Sequence, residues 1–476
     1  MLATSRDFKA NAGKGLADET LQRALGTLSR TGFPVKRRLA IERLPEFEAL
    51  REEGRAIKDH TLTHLDFYLE LYEQNVIAAG GKVHWARDAA EARALVLQIC
   101  RSVGAKIVTK GKSMVAEEIG LNEHLAANGI TPVETDLGEY IIQLRHEPPS
   151  HIIAPAIHLV KEQVADTFRA EHRALPPERP LGEVRQLCDE ARAMLRPRFL
   201  AADVGITGAN FLLAESGSSI IVTNEGNGDL TQILPRVHIV LASLEKIVPA
   251  FEDAATLLRL LARSATGQEF SSYTTVSTGP RRPSDRDGPE QYHVVLLDNG
   301  RSALLGGEFQ DMLRCIRCAA CLNHCPVYGA IGGHAYGWVY PGPMGAVLTP
   351  SLIGIAEAGH LPNASTFCGR CESVCPMKIP LPKMMRRWRE REFAARLTPR
   401  SARAGLKLWA FVARRPSLYH ALADLASRTL GWAGRERGRF RALPLAAGWT
   451  SVRDMPAPEG RSFHSLWAGQ RRETRR

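Results

Sequence analysis

The sequence predicts an α/β domain, then a small α-helical domain built around cysteines, then a basic helical tail. Three observations carry this. Strand-like apolar runs alternate with helical patterns over residues 61–305, as in a largely parallel sheet covered by helices. Seven of the nine Cys fall between Cys315 and Cys375. The basic excess is confined to one end. From Met384 to Arg476, 20 Arg and one Lys face seven acids, a local charge of +14 in a chain of net charge +11, which leaves −3 for the rest.

The length of 476 residues suggests two to four domains. With 44% apolar and 24% charged residues, the composition excludes a disordered chain, a collagen and a coiled-coil rod. No run of about 18 apolar residues marks a spanning helix. The N-terminal stretch MLATSRDFKANAGKG lacks the apolar core of a signal peptide, so the chain is expected to be cytoplasmic. Four regions are expected: 1–60, 61–305, 306–383 and 384–476.

Residues 1–60 read as a polar helical lead-in, punctuated by Arg37, Arg38, Arg43, Arg51 and Arg55. No chemistry is expected there. Ala89–Val103 reads as a helix, Lys106–Thr109 as a strand and Glu117–Asn128 as a further helix. Strand-like runs follow at Tyr140–Leu144, His151–Ile153, Ile220–Val222 and Val237–Leu241. Helical stretches between them cover Pro155–Ala170, Leu181–Leu195 and Phe251–Ala265. His293–Leu297 closes the region as a strand before the turn Asp298-Asn299-Gly300. Thr278–Pro289 reads as a surface loop.

The cysteines form two motifs. Cys315-x2-Cys318-x2-Cys321-x3-Cys325-Pro326 has the spacing of the bacterial ferredoxin run, in which three thiolates hold one cluster and the fourth holds its neighbour. Cys368-x2-Cys371-x3-Cys375-Pro376 repeats the spacing without its first Cys, and Ser365 stands at that place. Cross-ligation assigns Cys315, Cys318, Cys321 and Cys375 to cluster one, and Cys325, Cys368 and Cys371 to cluster two. Both read as [4Fe-4S]. The missing ligand of cluster two is Ser365, water or a partner, or that cluster is a [3Fe-4S] form. Structural zinc also uses C-x2-C pairs, but it does not explain two separate Cys-Pro endings. Cys100 and Cys188, in helical patterns with no ligand nearby, are expected to be plain buried cysteines.

Two clusters relay single electrons, so a second site is needed for a two-electron substrate. Three polar groups in the α/β region are candidates. Lys110-Gly111-Lys112-Ser113 follows a strand and suits a carboxylate or phosphate. Glu134, Asp136 and Glu139 are costly to bury unless they pair with those lysines or hold a cation. His151 and His158 follow them, and a shared pocket for the two is weighed against separate core or surface positions. Asn210 and Glu225 lie in glycine-rich stretches around a strand, as a strand-end ligand site requires. Solvated turns are the plain alternative for each group. Lys112, Asn210 and Glu225 are the candidate substrate-binding residues. No dinucleotide fingerprint or P-loop is present.

The two Cys motifs, the Thr223-Asn224-Glu225-Gly226-Asn227 stretch and the tail elements Trp449–Pro456 and Ser462–Trp467 together resemble the lactate utilization protein B family. The resemblance spans about residue 60 to the end. It implies an α/β domain of the CoA-transferase and sugar-isomerase type and a ferredoxin-type two-cluster domain. It also implies a part in oxidising L-lactate to pyruvate, beside a cysteine-rich electron-transfer protein and a smaller α/β protein. The family's second motif has three Cys as well. Two other readings stand beside it. One is a self-contained 2-hydroxy-acid dehydrogenase. The other is an electron-transfer subunit for another 2-hydroxy acid such as glycolate. A redox or iron sensor would need only one cluster.

In the tail, Trp388, Trp409, Trp432, Trp449 and Trp467 are interleaved with Arg. Leu406, Trp409, Leu418, Leu422 and Leu425 fall near helical spacing. Such a face suits a partner subunit or the chain's own body, or an anionic membrane surface near quinone. Nucleic acid is disfavoured because no reading motif accompanies the charge.

Overall fold

Five helices open the chain: α1 (Phe8–Ala17), α2 (Glu19–Thr31), α3 (Phe33–Glu42), α4 (Phe47–Thr63) and α5 (Leu65–Ala78). They appear in a computed structural model that describes residues 3–443, 450 and 453–473. It divides into one unit ending at Glu392 and another beginning at Phe393.

The α/β region follows as β1 (Lys82–Ala86), α6 (Ala89–Ser102), β2 (Ile107–Lys110), α7 (Met114–Glu118), α8 (Leu121–Ala127), β3 (Thr131–Glu134) and α9 (Leu137–Leu144). It continues with α10 (Lys161–Glu171), α11 (Val184–Leu200), β4 (Val204–Thr207), β5 (Phe211–Leu213), β6 (Ser218–Thr223) and α12 (Asn227–Ile233). Last come β7 (Val237–Ser243), β8 (Ile247–Val248), α13 (Phe251–Ala265), β9 (Tyr273–Ser277) and β10 (Gln291–Leu297).

Six strands form a wholly parallel sheet in the order β1-β10-β7-β4-β2-β3. A smaller sheet has the order β8-β5-β6-β9. Both faces of the large sheet are apolar, as parallel sheets require. Ile239, Leu241, Val295 and Leu297 pack with Val96 and Cys100 of α6, while Val240, Ala242, Val294 and Leu296 pack with Tyr72 and Val76 of α5. A Cβ on Gly205 would overlap the Thr231 carbonyl oxygen, so only glycine lets α12 lie so close to β4.

Four expectations change. Tyr140–Leu144 is helical. Asp136 caps α9 by accepting from the Glu139 N–H at 3.1 Å, and Leu137, Tyr140, Ile141 and Leu144 turn inward together at helical spacing. His151–Ile153 is a buried loop in which His151 Nδ1 accepts from the Ile153 and Ala154 N–H groups at 3.0 Å each. The helix expected from Pro155 begins at Lys161 instead. Gly120, at φ +64°, divides the helix expected over 117–128 into α7 and α8.

The cysteine region holds α14 (Ala320–Asn323), α15 (Pro326–Ile331), α16 (Gly342–Ile353), α17 (Ile355–Ala358), α18 (Arg370–Ser373) and α19 (Leu381–Ala394). Its residues share one core with α2, α4 and α13. Gln22 Nε2 donates to the Ala330 carbonyl at 2.7 Å, and the Thr4 N–H donates to Gly337 at 2.8 Å. The amino-terminal helices are therefore part of this core.

The second unit contains α20 (Arg400–Ala413), α21 (Pro416–Gly434) and the helix Phe463–Glu473. Trp409, Trp432 and Trp467 are exposed there. Trp388 belongs to the first unit, where it stacks on Phe309 at 4.3 Å and donates to the Val347 carbonyl at 2.9 Å. Trp449 lies outside the described residues. No helix among the described residues is long and apolar enough to cross a membrane.

Candidate iron–sulfur centres and an adjoining cationic cavity

The two Cys loops repeat one backbone. Arg317 and Ala319 flank Cys318, both at φ 60°, and Phe367 and Gly369 flank Cys368 at 53° and 76°. A short helix, α14 or α18, follows each loop. These left-handed residues turn the chain so that its amides approach the sulfurs. The Ala320 N–H donates to Cys318 and the Arg370 N–H to Cys368. Cys325 accepts from Val327 and Tyr328, Cys371 from Glu372, and Cys375 from Met377 and Ile379.

Cys315, Cys318, Cys321 and Cys375 line one small cavity, with Ile152, Met312 and Met344 among its walls. Cys325, Cys368 and Cys371 line another, together with Ser365 and Met385. Each motif thus sends its Cys-Pro cysteine to the other motif's cavity. Burial pushes the Cys375 thiol up to about 11 and Cys371 to about 12. Thiols gathered this way, five of them facing amide donors and all but the exposed Cys368 at least half-buried, are compensated when iron replaces their protons. The donor set fits two iron–sulfur clusters. Ser365 Oγ accepts from the Phe367 N–H at 3.1 Å.

Sequence reasoning left residues 1–60 without a role, yet three of their cations reach this region. Arg51 donates to the Cys375 carbonyl at 2.6 Å and Arg37 to the Val374 carbonyl at 2.9 Å. Lys58 is buried and donates to the Glu245 and Ile247 carbonyls. Burial lowers its pKa to about 7. A buried ion network continues from there. Arg301 lies 2.6 Å from Glu118 and 3.0 Å from Glu245, and Glu245 also lies 3.1 Å from Arg317. Tyr340 donates to Glu118 at 2.6 Å, and the Arg317 guanidinium sits 5.1 Å from the Tyr340 ring centroid. A single Lys or Arg in an α/β sequence gives no signal of such a network, because its members come from five separate segments.

A third cavity, of about 240 Å³, opens at the carboxyl ends of β2, β4 and β7. The chain leaves β2 towards β3 on one side and returns to β4 on the other, so this is a point where the winding of the sheet reverses, the usual ligand crevice of such sheets. Lys112 and Asn210 line it. Glu225 is exposed on the turn after β6 and is not among the lining residues. Lys246, Arg317 and Tyr340 also line it, and the sequence pattern had not marked them. The Asn210 carboxamide oxygen accepts from the Val222 N–H at 2.9 Å, which fixes the loop after β4 to β6. Lys112 Nζ donates to the Ile153 carbonyl.

Lys110 is turned away from Lys112 and is buried between Glu117 at 2.7 Å and Glu134 at 2.6 Å. Glu139 joins this cluster. The lysine ammonium stands where a cation would. Burial, then the neighbouring carboxylates, holds the Glu139 carboxyl well above its ordinary value, and burial lifts Glu134 in the same direction. Raised acids favour folding most where the unfolded chain is also protonated. Their contribution is complete below the ordinary value of 4.5 and is lost as pH rises above it. Glu139→Gln is therefore expected to match the parent near pH 4.5 and to exceed it by about 1–3 kcal/mol at pH 8. Urea midpoints at the two pH values check this.

His151 and His158 do not share a pocket partner. His151 Nε2 meets Asn323 at 2.9 Å, while His158 bridges Ser150 and Glu147. Cys100 is buried in the core under α6, and Cys188 is half-buried on α11.

Comparison with known proteins adds three matches. A model described as LUD domain covers residues 69–297, a 4Fe-4S dicluster domain covers 311–379, and lactate utilisation protein B, C-terminal, covers 378–472. Lactate utilization protein B of Shouchella clausii is 43% identical over 467 residues, covering 98% of this chain and 97% of that one. The protein of that name from Anoxybacillus flavithermus is 44% identical over 477 residues, covering 99% of each. That from a Geobacillus species is 47% identical over 430 residues, covering 89% of each.

Proposed function

The chain belongs to the lactate utilization protein B family and carries a 4Fe-4S dicluster domain, and from that premise we propose that it is the electron-transfer subunit of a system oxidising L-lactate to pyruvate, allowing growth on lactate. The observation that supports this most is the exchange of Cys-Pro cysteines between the two thiol-lined cavities. Such an exchange holds two redox centres side by side. We assign Cys315, Cys318, Cys321 and Cys375 to the first and Cys325, Cys368 and Cys371 to the second. Ser365 is this chain's own candidate for the fourth ligand of the second. The bound clusters would supply one-electron transfer. The residues of the chain cover most of the sulfurs, donate amide hydrogens to five of them and surround the first set with Lys58, Lys246 and Arg317.

Its partners in this reading are a cysteine-rich electron-transfer protein and a smaller α/β protein. The exposed Trp409, Trp432 and Trp467, set among arginines, are the contacts offered to such a subunit or to an anionic membrane surface.

The test is anaerobic. About eight iron per chain is expected, with paramagnetic resonance signals that appear on reduction by dithionite. L-lactate should produce them only when the companion subunits are present. Cys371→Ala should lose the signal of the second cluster and all lactate-dependent electron transfer. Full iron and full transfer in that variant would overturn the relay. Reduction of the isolated chain by L-lactate would make it the dehydrogenase itself.

A further inference from the structure

The cavity at the strand ends of the large sheet has an unusual charge balance. Three cations line it, Lys112, Lys246 and Arg317, and no Asp or Glu among the described residues does. The nearby carboxylates are already paired. Glu245 faces Arg301 and Arg317, and Glu118 faces Arg301 and Tyr340.

Lys246 is the telling residue. It is 8% exposed, and no hydrogen bond or ion pair to it exists among the described residues. A largely buried ammonium that Glu245 opposes without a direct ion pair is costly, and a bound anion lowers that cost. Arg317 donates from one terminal nitrogen to Glu245 and from the other only to Met344 Sδ at 3.9 Å, a weak contact that a carboxylate can replace. The remaining walls include Ile152, Leu241, Leu261 and Ala262, which favour a short carbon skeleton. The volume of about 240 Å³ lies below the roughly 300–1,000 Å³ of sites for drug-sized ligands. Arg317 also lies inside the Cys315–Cys318 loop, so whatever the cavity holds sits beside the first thiol set.

We infer that this cavity binds a small carboxylate of the 2-hydroxy or 2-oxo acid class, held by Lys246 and Arg317 with Lys112 at its edge. The choice of acid rests on the electron-transfer reading above, whereas the charge and shape of the site do not.

The experiment is anaerobic calorimetry on the cluster-loaded full chain, with L-lactate and pyruvate as probes. Lactamide serves as the neutral analogue and inorganic phosphate as a second anion. Saturable binding of one acid per chain is expected, with lactamide silent. Lys246→Met should weaken it by about tenfold or more. Ala265→Leu, which fills the cavity without touching a charge, should do the same. Iron content should match the parent in both variants, and the dithionite-reduced spectrum should match it in Ala265→Leu. Absence of saturable binding, equal binding of lactamide, phosphate binding as tight as lactate, or unchanged affinity in the well-folded Ala265→Leu protein would each overturn the assignment. Failure of the relay would look different: acid binding intact, and no electron passed to the companion subunits.

Discussion

Cys375→Ala is expected to empty the first thiol set while leaving the second loaded. Iron should fall from about eight to about four per chain, with the surviving resonance signal that of the second cluster. Cys325→Ala should give the converse result. In sequence, Cys375 belongs with Cys368 and Cys371, but in the structure it faces Cys315, Cys318 and Cys321. Pairing by sequence neighbourhood predicts the opposite pattern, so iron quantification and resonance on the two variants decide between the pairings. The Met377 and Ile379 amides that point at Cys375 would lose their acceptor, and a loosening of the 375–381 segment should accompany the loss of iron.

Arg301→Met is expected to cost about 3–5 kcal/mol, because removing one member of a buried ion network leaves its partners charged without compensation. Arg301 is 1% exposed and pairs with Glu118 on α7 and Glu245 in the turn after β7. Glu118 also takes hydrogen bonds from Asn299 and from Tyr340 in the cysteine region. The network therefore ties the sheet to the cysteine core, and both are expected to loosen together. Arg301→Lys should recover only part of the loss, since one ammonium cannot span both carboxylates as a guanidinium does. Denaturant midpoints of the loaded protein, with iron release followed in parallel, provide the measurement.

Several elements were legible from local pattern alone. The helices at Ala89–Ser102 and Phe251–Ala265 and the strands through Ile220–Val222, Val237–Leu241 and His293–Leu297 stand where their periodicity put them. A parallel sheet apolar on both faces follows from their alternation. The segment at Tyr140–Leu144 was misread because its run of Tyr and Ile favours a strand. The Asp136 cap and the packing of the inward face decided for a helix.

By itself, the sequence determined the sulfur chemistry and the class of the fold. Cysteine spacing is a local property, and a cluster accepts few spacings. It also placed Lys112 and Asn210 near a strand-end site. Only the tertiary structure decided what surrounds those groups. Lys246 comes from the turn after β7, Arg317 from the first Cys loop and Tyr340 from the approach to α16. Glu225, chosen with them from its glycine-rich setting, was left on the surface. Charges far apart in the chain interact strongly only once burial has removed the water between them. That burial is a property of the packed core and of no single stretch of residues.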